Sequence, residues 1–260
     1  MAPGYAEAVL KRDRAFVIAG LGGIAGISWV YIFHLARNMG TATGMEMGVP
    51  RMQGWGAVDF ILMFVMWAVM MVAMMTPSAA PMILTYARVN RRHNEQRSPF
   101  LATGGFLAGY LAVWTGFSAV ATLAQWELHR AALLSPMMVS NSPLLGGALL
   151  IGAGVFQFTH LKRACLAHCR SPLGFFMTEW RDGTLGALLM GIRHGIFCVG
   201  CCWLLMALLF VAGVMNLLWV AVIAAYVLIE KIVPAGHWVS RGIGFCVIVV
   251  GVWMVTGAFL

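Results

Sequence analysis

One short stretch of this chain gathers four soft or borderline metal ligands: His194-Gly-Ile-Phe-Cys198-Val-Gly-Cys201-Cys202. On a helix, at 100° per residue, His194, Cys198, Cys201 and Cys202 fall within an arc of about 100° and line one side of about two turns. A thiolate combined with an imidazole is the donor set that selects zinc or cuprous copper. A single cysteine in an apolar helix is ordinary packing. Three cysteines and a histidine on one face form a ligand or redox pattern. Gly195 and Gly200 keep the same region slim, so that another segment can approach it.

A second cluster, Cys165-Leu-Ala-His168-Cys169, lies in a basic connection. Cys165 and Cys169 share a helical face at i and i+4, and His168 is three residues from Cys165. A short interfacial helix there can aim all three at the first cluster. Reduced or palmitoylated juxtamembrane thiols are the plainer alternative. Cys246 stands alone and reads as packing.

The third feature is a run of thioethers: Met63, Met66, Met70, Met71, Met74 and Met75, with Met82 beyond. Taking Met63 as the origin, Met66, Met70 and Met74 lie between about −60° and +20°, with Asp59 at about −40°. From Asp59 to Met74 the helical rise is about 22 Å, most of a bilayer core. Thioethers bind Cu(I) and hardly bind Zn(II), Mg(II) or Ca(II). A Met66–Met70–Met74 ladder headed by Asp59 therefore reads as a path for a soft monovalent cation. Methionine is also a flexible core filler, and the chain is rich in it throughout, with 19 in 260 residues.

These residues must be positioned by elements that live in lipid. The hydrophobic set makes up 61% of the chain and charged residues only 10%, against about 45–50% and about 25% in soluble domains. That excludes a soluble catalytic domain, a nucleic-acid module and a disordered chain. The net charge of +8 fits basic cytoplasmic loops against anionic membrane lipids, with no nucleic-acid partner. Seven apolar stretches each approach the roughly 20 residues of a spanning helix, at about 15–36, 58–84, 99–124, 143–159, 186–212, 216–232 and 242–259. The expected fold is all-α: a single polytopic membrane bundle of about seven transmembrane helices, residues 1–260, without internal repeats.

The basic residues set the orientation. With the N-terminus cytoplasmic, Lys11, Arg12, Arg14, Arg88, Arg91, Arg92, Arg97, Lys162, Arg163, Arg170, Arg181, Lys231 and Arg241 all fall inside, and only Arg37, Arg51 and Arg130 outside. Both cysteine clusters are then cytoplasmic, where disulfides seldom persist. The outer loop 37–57 carries Met39, Met45, Met47 and Met52. Asp59, Arg193 and Glu230 are intramembrane charges and so functional candidates; Arg193 is expected to pair with Glu179 or Asp182. Glu230 and Lys231 sit near the inner boundary, where snorkelling to the interface is expected.

Four segments also resemble a known family. They are Met66-Trp67-Ala-Val-Met70-Met71-Val-Ala-Met74-Met75-Thr-Pro77-Ser78, Leu161-Lys-Arg-Ala-Cys165-Leu-Ala-His168-Cys169-Arg-Ser-Pro172, His194-Gly-Ile-Phe-Cys198-Val-Gly-Cys201-Cys202-Trp203 and Gly213-Val-Met-Asn216-Leu-Leu-Trp219. Together they resemble a bacterial domain family of unknown function described as predicted metal-binding integral membrane proteins, from about residue 45 to 240. Thr76 departs from the more apolar residue expected at its position. The resemblance implies membrane location and metal binding, and names neither metal nor reaction.

The leading expectation is a soft-metal-binding protein of the bacterial inner membrane, with Cu(I) first and zinc second, acting in copper transport or delivery to a cuproenzyme. Two alternatives stand beside it. Cys198-Val-Gly-Cys201 has a spacing suited to thiol–disulfide exchange, which would suit a thiol or quinone-linked oxidoreductase. The Met and Trp surfaces could equally serve packing in an accessory subunit of a larger membrane complex. No catalytic residues are assigned.

Overall fold

A computed structural model of the chain describes residues 3–41, 55–93, 99–131, 133, 142–233 and 236–257. Among these the secondary structure is helical, with no strand. The helices are α1 (Pro3–Thr41), α2 (Ala57–His93), α3 (Pro99–Arg130), α4 (Pro143–Phe156), α5 (His160–Arg170), α6 (Pro172–Glu179), α7 (Gly183–Ala207), α8 (Leu209–Ala212), α9 (Leu217–Ile232) and α10 (Gly236–Thr256). Met45, Met47 and Met52 of the expected outer loop lie outside the described residues.

Five stretches are long and apolar enough to cross a membrane: Lys11–Arg37, Ala57–Arg91, Phe100–Arg130, Gly183–Ala212 and Trp238–Thr256. The two other expected spans are helical but shorter. α4 has 14 residues and α9 has 16, or about 21 and 24 Å against a hydrocarbon core of about 30 Å. α4 and α5 are long and apolar enough to cross only as a pair, bent by 63° at their junction. The bend follows from local chemistry. Backbone bonds from Gln157 to Gly154 and from Thr159 to Phe156 tighten the last turn of α4. Thr159 then caps α5, its hydroxyl accepting from the Lys162 amide at 3.3 Å. The connection after residue 160 therefore folds as the two short helices α5 and α6.

α7 is the central element, packed on α3 along one side and carrying α5 on another. Its approach to α3 depends on two missing side chains. A Cβ on Gly191 would overlap the carbonyl of Phe106, and one on Gly109 would overlap that of Leu188. Small residues that let backbones meet in this way are the usual device for packing helices in lipid. α2 packs between α1 and α3, and α4 packs on α10. Large apolar side chains such as Ile27, Val30, Phe245 and Trp253 point outward from α1 and α10, the pattern expected of a lipid-facing surface.

Within this frame, α2 contributes its methionines to the core. Met63, Met66, Met70, Met71, Met74 and Met75 are all buried. Beside them Trp67 Nε1 donates to Gln125 Oε1 at 2.6 Å, and Gln125 Nε2 donates to the Met63 sulfur at 3.6 Å. Pro77 and Pro81 interrupt the backbone ladder farther along α2, where a proline cannot donate to the carbonyl four residues back.

Candidate metal site

His194 is set in the middle of α7, 1% exposed, and neither of its ring nitrogens has a hydrogen-bond partner. Its ring stacks on Tyr110 (centroids 5.5 Å apart, 23°) and Phe106 (6.0 Å, 25°) of α3 and meets the edge of the Phe175 ring of α6 at 5.8 Å. Buried polar atoms are nearly always satisfied, so an imidazole fixed between aromatic rings with both nitrogens free calls for an explanation. A lone pair held for a soft ion supplies one.

One helical turn on, Cys198 is fully buried and is the hub of the cluster. Lys231 Nζ of α9 donates to its Sγ at 3.0 Å and to Ser78 Oγ of α2 at 2.9 Å. The Tyr110 hydroxyl lies 3.2 Å from the same Sγ and donates to the Met75 carbonyl at 3.1 Å. Ser78 Oγ in turn donates to that carbonyl at 2.9 Å. The thiols of Cys201 and Cys202, also fully buried, turn back and donate to the Cys198 carbonyl oxygen at 3.1 and 2.9 Å.

α5 brings two more sulfurs to this place. The buried Cys169 thiol lies close to those of Cys198 and Cys201. The half-buried Cys165 packs its sulfur 2.8 Å from where a Cβ on Gly200 would stand, so the glycine is what admits it. Cys169 thus joins Cys198, Cys201 and Cys202 from a second helix, with Cys165 set farther around α7 on its Gly200 side. His168 does not join them. It is exposed, its ring stacks face to face on Phe197 at 4.2 Å, and Nδ1 is 2.9 Å from the Ala164 carbonyl oxygen.

In this resting arrangement no three His, Cys, Asp or Glu side chains among the described residues stand in coordinating geometry. The thiols of Cys201 and Cys202 are engaged with backbone rather than with each other. Drawing them around an ion takes a change of rotamer at Cys201 or Cys202.

The remaining predicted residues divide. Met66, Met70 and Met74 are buried, at 3%, 1% and 1% exposure, and the stripe runs down α2 toward Met75, whose carbonyl reaches Tyr110. Asp59 sits half-buried in the first turn of α2, where its Oδ2 accepts from the Gly56 amide at 2.8 Å. There it caps the helix start, a placement favoured by the helix dipole. Arg193 pairs with Glu179 at 2.9 Å. Cys246 is exposed.

Glu230 and Lys231 correct the snorkelling expectation, since both are buried. Glu230 pairs with Lys162 at 2.8 Å, and Lys231 contacts Cys198. Lys231, Tyr110 and Ser78 are site residues that sequence reasoning missed. The available signal was the expense of a Glu-Lys pair at the end of an apolar helix, which marks intramembrane charges as functional by default.

Membrane-length apolar helices wrapped around buried thiols and a free imidazole give this all-helical chain the donor set of proteins that handle soft metal ions. Residues 64–254 match the model of the PpoB2 family, described as copper chaperone, and the chain belongs to that family. No curated protein and no solved structure is significantly similar to it.

Proposed function

We propose that this protein is a multi-pass protein of the bacterial inner membrane that carries Cu(I) as its cargo, in transport or in delivery to a cuproenzyme. The observation that carries this reading is the meeting of Cys169, Cys198, Cys201 and Cys202 beside the unpartnered ring of His194. Its membership of a family described as copper chaperone supports copper as the metal.

The arrangement of donors gives the cargo a route. Met66, Met70 and Met74 offer neutral thioethers along α2, each holding Cu(I) weakly enough to release it. The thiols and imidazole at the other end of the stripe bind more strongly, because thiolate is the better Cu(I) ligand. Tyr110 joins the two parts, its hydroxyl meeting both the Met75 carbonyl and the Cys198 sulfur. Copper entering past Asp59 would thus descend from thioether to thiolate. Two thiolates, or two with His194, satisfy the low coordination number of Cu(I). The pair Cys198–Cys169 is the natural first choice because the two thiols are neighbours brought together from different helices.

In this reading the chain crosses the membrane seven times, with α4 and α9 as its shorter spans and the N-terminus in the cytoplasm. The thiol site then lies toward the inner face. The test is metal analysis of protein purified in mild detergent with reductant, beside a variant with Cys198, Cys201 and Cys202 replaced by Ser. Stoichiometric copper in the parent and its loss in the variant are expected. Parent protein that takes up no metal after reconstitution with Cu(I) would overturn the reading.

A further inference from the structure

Lys231 has an unusual set of neighbours. Its Nζ is buried between Ser78 Oγ at 2.9 Å and Cys198 Sγ at 3.0 Å. The adjacent carboxylate, Glu230, turns to Lys162 on α5 instead, and also accepts from the hydroxyls of Tyr226 and Ser240. The Lys231 ammonium thus meets a hydroxyl and a sulfur rather than an acid. A buried cation is costly unless a negative charge answers it.

We propose that Lys231 selects Cu(I) over divalent ions at this site, by setting a fixed positive charge against Cys198. The inference rests on the reading of Cys198 as a metal ligand. Cu(I) held by two thiolates leaves a complex of net charge −1, which the ammonium neutralises. Zn(II) on the same two thiolates leaves a neutral complex and an unanswered ammonium. The sign of the effect does not depend on how many thiolates bind, because for any one ligand set the divalent ion brings one more positive charge toward Nζ. At these separations, with water excluded, that added repulsion is worth about tenfold or more in relative affinity. The N–H groups of Lys231 can remain directed at the sulfur while the metal occupies another of its lone pairs.

This role separates Lys231 from the donors themselves. Thiolates and an imidazole alone suit zinc as well as copper, so the donor set leaves the choice open. A fixed cation beside the key sulfur biases it toward the monovalent ion.

The test offers detergent-purified protein Zn(II) against chelator-buffered Cu(I) under reductant, with bound metals counted by mass spectrometry. Wild type is compared with Lys231→Met, Lys231→Arg, Ser78→Asp and Cys198→Ser. Lys231→Met should shift the bound ratio toward zinc by about tenfold or more, and Lys231→Arg should stay close to wild type. Ser78→Asp keeps the lysine but answers its charge, so it should shift the ratio the same way, and it reads the effect even if Lys231→Met fails to fold. Wild-type ratios in Lys231→Met or Ser78→Asp would overturn the proposal, as would an equal shift in Lys231→Arg, which would assign the effect to shape. Metal uptake unaffected by Cys198→Ser would instead overturn the site itself.

Discussion

Lys162 on α5 and Glu230 on α9 form an ion pair of 2.8 Å in which each side chain is only 1% exposed. α5 carries Cys165 and Cys169, and its contact with α9 is anchored by this pair and by Arg170, which donates to the Val233 carbonyl at 2.6 Å. Breaking a buried pair on one side leaves the other charge stranded, at about 3–5 kcal/mol. Glu230→Gln should therefore lower thermal stability in detergent by that order and make Cys165 more reactive to a maleimide probe. Replacing both partners by apolar residues, as in Lys162→Met with Glu230→Leu, should recover much of the stability, because neither charge is then left alone. A single variant as stable as wild type would show that the pair does not hold α5.

The methionine stripe separates packing from transport. Leucine is close to methionine in volume, and such swaps cost under about 1.5 kcal/mol. Met70→Leu with Met74→Leu should thus leave expression and unfolding temperature nearly unchanged, while copper accumulation or cuproenzyme loading falls in cells. Unchanged copper handling in the well-expressed double variant would return the stripe to packing alone.

Two glycines of α7 should respond differently to alanine. At Gly191 the added methyl would run into the Phe106 backbone, which cannot yield without parting α3 from α7. A loss of about 1–3 kcal/mol is expected there. At Gly200 it meets only the Cys165 side chain, the sulfur at 2.8 Å. That side chain can turn aside, so Gly200→Ala should keep its stability and change only Cys165 reactivity toward the same probe. Equal destabilisation by both would contradict this account of the α3–α7 and α5–α7 contacts.

Topology gives a simpler check. A reporter fused after Leu260 should behave as periplasmic if the chain crosses seven times from a cytoplasmic N-terminus. A cytoplasmic result would overturn the seven-span, N-inside arrangement.

Much of this was legible in the sequence because it is local. Apolar runs marked the helices, and i, i+4 spacing placed Met66, Met70 and Met74, or Cys165 and Cys169, on common faces. What was not legible depends on tertiary contact. His168 lies about 60° from Cys165 around α5, away from Cys169, and the Phe197 ring offers it a stacking surface there. Lys231 is 33 residues from Cys198 and Tyr110 is 88. No periodicity links them, so only the packing of α3, α7 and α9 shows that they share one sulfur. The 63° bend after α4 falls where the apolar stretch ends and the basic connection begins, so hydropathy marks the boundary but not the angle.

The most direct test of the central claim is X-ray absorption at the copper edge on Cu(I)-loaded protein, paired with Cys198→Ser. Metal–thiolate distances near those of about 2.3 Å known for zinc are expected, with two sulfur neighbours in the wild type and at least one lost in the variant. An identical copper environment in the two proteins, or one built from nitrogen and oxygen alone, would contradict a thiolate site at Cys198.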